Sequence, residues 1–124
     1  VNEIGRITNI PLIKAIGVEN KSDLLNIRNY ENSVDYILLD SKAKENGHLK
    51  GGRGMSFNLN IIRGFNFKKP WFLAGGLNTN NVIDAVNITG AKMLDVSTGV
   101  ETKPGEKSFD KMREFIGRVN GEFI

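Results

Sequence analysis

Apolar residues fall into short continuous runs along the chain, separated by polar and glycine-bearing stretches. IPLIKAIGV, residues 10–18, holds one lysine, Lys14, among branched apolar residues and ends at Gly17 and Val18. That pattern predicts a buried parallel strand. Asn20 or Ser22 is placed to cap a helix reaching about residue 30, with Leu24, Leu25 and Ile27 facing inward. DYILLD, residues 35–40, reads as a second strand. A long polar connection follows, SKAKENGHLKGGRGMS, of a length that is functional or disordered in a compact domain. Residues 57–63 offer one or two helical turns. WFLAGGL, entered through Pro70, reads as a third strand. Asn78 or Thr79 then caps a helix carrying Val82, Ile83, Val86 and Ile88 in a stripe, closed by Gly90. AKMLDVSTGV, residues 91–100, reads as a fourth strand. A final helix over residues 108–119 places Phe109, Met112, Phe115, Ile116 and Val119 on one face, as core packing rather than a cofactor box.

The order is β-α-β-α-β-α-β-α, which implies a parallel sheet covered by helices. A small doubly wound open sheet and part of a (β/α)8 barrel both fit. Both place ligands at the C-terminal ends of the strands. Asp40, Gly75-Gly76 and Ser97-Thr98-Gly99 all fall at such ends.

Composition narrows the function. The 124 residues make one domain at most, or part of a larger one. Forty per cent hydrophobic and 25% charged residues are ordinary for a globular protein. The net charge of +3 comes from 17 basic and 14 acidic residues spread along the chain. With no basic run interleaved with aromatics, it suits a small anionic substrate better than nucleic acid. The chain has no cysteine, so it offers neither a disulfide nor a thiolate. Its one histidine, His48, reads as a solvated loop residue, and no metal site is expected. No apolar run approaches a membrane span and no signal peptide is visible, so a cytoplasmic protein is expected. The first residue is Val1 rather than methionine, which hints at a fragment.

Paired small-residue clusters at consecutive strand ends suit phosphate, because unobstructed backbone N–H groups point at the anion and small hydroxyls add hydrogen bonds. Gly51-Gly52-Arg53-Gly54 lacks the spacing of a nucleotide-binding loop and reads as a flexible segment covering the substrate. Asp40, after an apolar run at the sheet mouth, is either a general acid or base or a loop cap. Asp95, within MLDVS, would need partners if buried, and either positions a substrate hydroxyl or holds neighbouring loops.

IKAIGV, ILLDSK, GGRGMSF, FLAGGLNTNNV and LDVSTGVETKPGEKS, in that order, resemble the C-terminal half of the phosphoribosylanthranilate isomerase family of the tryptophan pathway. The resemblance runs from about residue 10 to residue 116. It implies an α/β fold in which residues 1–124 are one unit, strands five to eight of a (β/α)8 TIM barrel. It also implies an Amadori rearrangement of N-(5-phosphoribosyl)anthranilate without metal or organic cofactor. Asp40 falls on the family's general acid, which protonates the furanose ring oxygen. Gly75 and Gly76, with Ser97, Thr98 and Gly99, fall on its phosphate site. Asp95 falls near the substrate, and Gly51, Gly52 and Gly54 fall on the closing loop.

The family's GGxGKTFDW stands here as GGRGMSFNL, with Met55 in place of the lysine and Asn58 and Leu59 in place of the aspartate and tryptophan. The family's general base is a cysteine on the first strand, which has no counterpart here. The expectation is therefore a fragment supplying the acid and the phosphate site. It would be inactive alone and would pair with a missing N-terminal half-barrel or self-associate through open sheet edges. Indole-3-glycerol-phosphate synthase, whose distinctive motifs are absent, and a stand-alone phosphate-binding α/β domain are the rival readings.

Overall fold

The computed structural model describes residues 9–41 and 59–121. Strands β1 (Ile13–Gly17), β2 (Tyr36–Asp40) and β3 (Trp71–Ala74) form one parallel sheet in the order β1-β2-β3. The register sets Gly17 beside Asp40 and Asp40 beside Ala74, so the carboxylate closes the central strand level with both neighbours.

Parallel strands need a crossover. Between β1 and β2 it is helix α1 (Lys21–Leu25), continued by a 3-10 turn over Asn26–Asn29. Asn20 starts α1 through a reciprocal cap. Its Oδ1 accepts from the Asp23 N–H at 3.1 Å, while Asp23 Oδ2 accepts from the Asn20 N–H at 3.1 Å. The turn tightens where the predicted helix would have run on, and Leu25 is exposed while Leu24 and Ile27 are buried.

Side chains alternate across the sheet. Ile16, Leu39 and Leu73 stand in register on one face and are buried with Ile37 in the core. Ala15, Leu38 and Phe72 stand in register on the other face, which remains partly open. β1 is therefore not the fully buried strand that its apolar run predicts. Ile13 is 54% exposed, because β1 is an edge strand with one uncovered face.

Arg28 and Glu31 tie the first crossover to the approach of β3. The Glu31 carboxylate, 3% exposed, accepts from Arg28 Nη1 at 2.9 and 3.0 Å and from the Lys68 N–H at 3.1 Å. Burial pushes this carboxyl up. The bonds from Arg28 and Lys68 and their charges outweigh burial and hold it below its ordinary value.

Helix α2 (Val82–Thr89) follows β3, buries Val82 and Ala85, and ends at Gly90 in the left-handed conformation, as its sequence predicts. The predicted fourth strand contracts to a bridge. Leu94 pairs in parallel with Leu73, whose N–H donates to Met93 O and whose carbonyl accepts from the Asp95 N–H, both at 2.9 Å. Among the described residues nothing pairs with the far side of this segment, so no second ladder extends it.

Beyond it lies a hairpin that the sequence reading did not anticipate: β4 (Glu101–Lys103) and β5 (Glu106–Lys107), turned by Pro104-Gly105. Ser108 then caps helix α3 (Phe109–Val119) by accepting from the Lys111 N–H at 3.1 Å. The expected core face of α3 is only partly core. Phe115 is buried, but Phe109, Ile116 and Val119 are 71%, 57% and 42% exposed. Amphipathic spacing marks an apolar stripe, but burial needs a partner surface to receive it.

Candidate functional site

The C-terminal ends of the strands enclose a cavity of about 200 Å³ lined by Asp40, Gly75, Gly76, Asp95, Ser97 and Thr98, with Leu38, Ala74 and Leu77. Six residues singled out from sequence thus meet at one place although 58 positions separate Asp40 from Thr98. Gly99 borders the same loops. Gly51, Gly52 and Gly54, like His48, lie outside the described residues.

Gly75 decides how closely β2 and β3 end together. It sits at φ +103°, and a Cβ there would stand 2.7 Å from Asp40 Oδ1 and 2.6 Å from the Ser41 nitrogen. Only glycine meets both demands. Ser41, 1% exposed, extends the ladder past Asp40. Its N–H donates to Ala74 O at 3.1 Å and its hydroxyl to Gly75 O at 3.2 Å. Asp40 Oδ1 consequently lies close against Gly75, where no side chain could fit between them. Sequence reading assigned Ser41 to the polar connection, since nothing local announces a partner 34 residues away.

The loop from Gly76 into α2 is wound by asparagines. Asn81 donates from Nδ2 to Gly76 O at 2.9 Å and accepts at Oδ1 from the Asn78 N–H at 2.8 Å. Asn78 Oδ1 in turn accepts from the N–H groups of Asn80 and Asn81 at 2.8 and 3.0 Å. Asn78 therefore organises the turn before α2, as its sequence suggests, but Asn81 is the residue at the cap position. The visible signal for this scaffold is the cluster NTNN.

The second cluster is built differently. Thr98–Val100 forms a 3-10 turn, and the Gly99 backbone lies directly on Leu77, where any Cβ would collide with the carbonyl oxygen. Lys107, reaching across from β5, donates to Ser97 O at 3.2 Å, to Ser97 Oγ at 3.3 Å and to Glu101 Oε2 at 2.5 Å. The Lys107 hydrogen bond, with help from the Gly105 N–H, outweighs desolvation and holds the Glu101 carboxyl below its ordinary value. Asp95 is exposed at the cavity mouth rather than buried in a strand, because the segment carrying it is only bridged to β3.

Among the described residues no lysine or arginine lines this cavity, so the groups it offers an anion are backbone N–H groups and small hydroxyls. Two carboxylates, Asp40 and Asp95, share the space with these groups.

Residues 2–118 match the family model for N-(5'-phosphoribosyl)anthranilate (PRA) isomerase. The chain belongs to the phosphoribosylanthranilate isomerase family. It is 39% identical over 124 residues to the N-(5'-phosphoribosyl)anthranilate isomerase of Paracoccus denitrificans, covering all of this chain and 58% of that protein. It superposes on the isomerase of Thermotoga maritima with a TM-score of 0.79 at 34% identity, over 96% of this chain and 57% of that one. A further isomerase structure, solved in complex with reduced 1-(o-carboxyphenylamino)-1-deoxyribulose 5-phosphate, matches with a TM-score of 0.75 at 32% identity. That match covers 96% of this chain and 52% of the other. Against these relatives the present chain spans little more than half their length. Its α/β architecture with a parallel sheet is that of the family's TIM-barrel members. Among the described residues no helix is long and apolar enough to cross a membrane.

Proposed function

We propose that this chain is the acid and phosphate half of a phosphoribosylanthranilate isomerase. Its residues 1–124 form one unit that supplies strands five to eight of a (β/α)8 barrel. The supporting observation is the shared cavity: Asp40 faces the glycine and hydroxyl clusters that suit a sugar phosphate.

In this reading Gly75, Gly76, Ser97, Thr98 and Gly99 bind the 5-phosphate and Asp95 lies near the sugar, while Gly51, Gly52 and Gly54 close over it. Asp40 donates a proton to the furanose ring oxygen as the C1′–O bond breaks, leaving an iminium between C1′ and the anthranilate nitrogen. A base then removes the C2′ proton, and the resulting enamine gains a proton at C1′ as the C2′ hydroxyl becomes the ketone. The chain holds no cysteine, so the base is assigned to the complementary strands one to four. The exposed Ile10 and Ile13 beside β1 and the exposed Phe109, Ile116 and Val119 of α3 are where that half, or a second copy, would pack. A cytoplasmic location goes with this reading.

The deciding experiment follows loss of phosphoribosylanthranilate fluorescence with the chain alone, and after mixing with the N-terminal half-barrel of a related isomerase. Turnover only in the mixture is the expected result. Turnover by the chain alone would overturn the assignment of the base. Phosphate binding without turnover by the assembled pair would favour a binding domain.

A further inference from the structure

A second, larger cavity of about 670 Å³ opens at the opposite end of β3, between the approach to that strand, the carboxyl end of α2 and the start of the bridged segment. Its walls carry Phe65, Phe67 and Trp71, with Lys68, Lys69 and Lys92 around them. The rings are ordered: Phe67 stacks on Trp71 at 4.4 Å and 14°, and Phe65 meets Phe67 edge-on at 4.8 Å. All three remain partly exposed; the Arg28 guanidinium lies over the Phe65 ring at 4.4 Å, which leaves the Phe67–Trp71 pair as the aromatic surface offered to the cavity. The volume lies in the range of small-molecule sites, which pair an apolar lining with a few convergent polar groups.

The lysines are not accounted for by internal partners. Lys68 lies close enough to Glu31 to favour its charged form. Among the described residues, neither Lys69 nor Lys92 has a carboxylate or hydrogen-bond acceptor within reach. Nor are they needed to close α2. There the Gly90 N–H already donates to Val86 O, and Arg63 Nε to Ile88 O at 3.2 Å. Lys69 and Lys92 both line the cavity, so an anion within it meets two cationic side chains.

We propose that this groove is a binding site for a planar aromatic acid. Its ring would lie against the Trp71–Phe67 stack and its carboxylate would be held by Lys69 and Lys92. The stack supplies an offset or edge-on partner for one more ring, and the lysines select the anion over a neutral ring. The inference is independent of the isomerase reading, since it concerns the other end of the sheet.

Trp71 is the one tryptophan among the 124 residues, so its fluorescence reports on this groove directly. The experiment titrates the full chain with benzoate, benzyl alcohol and inorganic phosphate. It is repeated on Lys69→Met/Lys92→Met, with circular dichroism confirming the fold. The expected result is a saturable change in Trp71 emission with benzoate. Benzyl alcohol and the double variant should each show affinity about ten-fold lower, or 1.4 kcal/mol. Phosphate should neither perturb Trp71 nor compete. Absence of a saturable benzoate response overturns the proposal. Equal binding of benzyl alcohol, or no loss in the double variant, also overturns it, as does equal competition by phosphate.

Discussion

Gly99 rests directly on Leu77: a Cβ at position 99 would stand 1.9 Å from the Leu77 carbonyl oxygen and 3.1 Å from Asn78 Cα. The loops after β3 and after the bridged segment are therefore one backbone-to-backbone layer. Gly99→Ala must separate them, at a cost of about 1–3 kcal/mol for an overpacked contact. The expected outcome is a lower Tm and at least about ten-fold weaker phosphate binding, read by calorimetry, with the helical circular dichroism kept. Unchanged phosphate affinity would separate Gly99 from the anion site.

Asp40→Asn keeps the shape of the side chain and removes the acid. In the assembled isomerase it is expected to lower kcat by about 10² to 10⁴, the usual contribution of a positioned acid. KM should change little, because the phosphate cluster is untouched. Steady-state kinetics on the mixed halves test this, and unchanged kcat would remove Asp40 from the role.

Two carboxylates should make the fold acid-sensitive. Glu31 and Glu101 are both held below the ordinary value of 4.5. A depressed carboxyl contributes stability that is present above its unfolded pKa and is lost as pH falls through its folded pKa. Denaturant midpoints are expected to hold near neutrality and to fall below about pH 4.3. Glu31→Gln, which removes the negative charge facing Arg28, should cost about 1–3 kcal/mol at pH 7 and flatten the acid limb. Lys107→Met should flatten it through Glu101 and loosen Ser97. An acid limb unchanged in both variants would refute the assignment.

The open faces predict association. Phe109, Ile116 and Val119 on α3 and Ile10 and Ile13 beside β1 expose apolar surface at both margins of the sheet. Sedimentation of the chain alone is expected to show self-association. Ile116→Lys with Phe109→Ser should reduce it, and should also weaken pairing with the complementary half-barrel. A compact, stable monomer of the parent sequence would contradict this.

Some of the molecule was legible in short windows of sequence. The apolar runs at 13–17, 36–40 and 71–74, the cap at Asn20, the stop at Gly90 and the cap at Ser108 each depend on a few consecutive residues. The clustering of Asp40 with Gly75-Gly76 and Ser97-Thr98 was legible too, since parallel strands place their carboxyl ends together. The supports of that site were not. Ser41 on Gly75, Asn81 on Gly76, Gly99 on Leu77 and Lys107 on Ser97 are contacts of loops that no periodicity encodes. Three-dimensional packing chose those partners, because hydrogen bonds and steric contact act over a few ångströms whatever the separation along the chain. Burial was decided the same way. The stripe on α3 and the run on β1 are written in local residue choice, but Phe109, Ile116 and Ile13 stay exposed because an apolar side chain is buried only where another surface covers it.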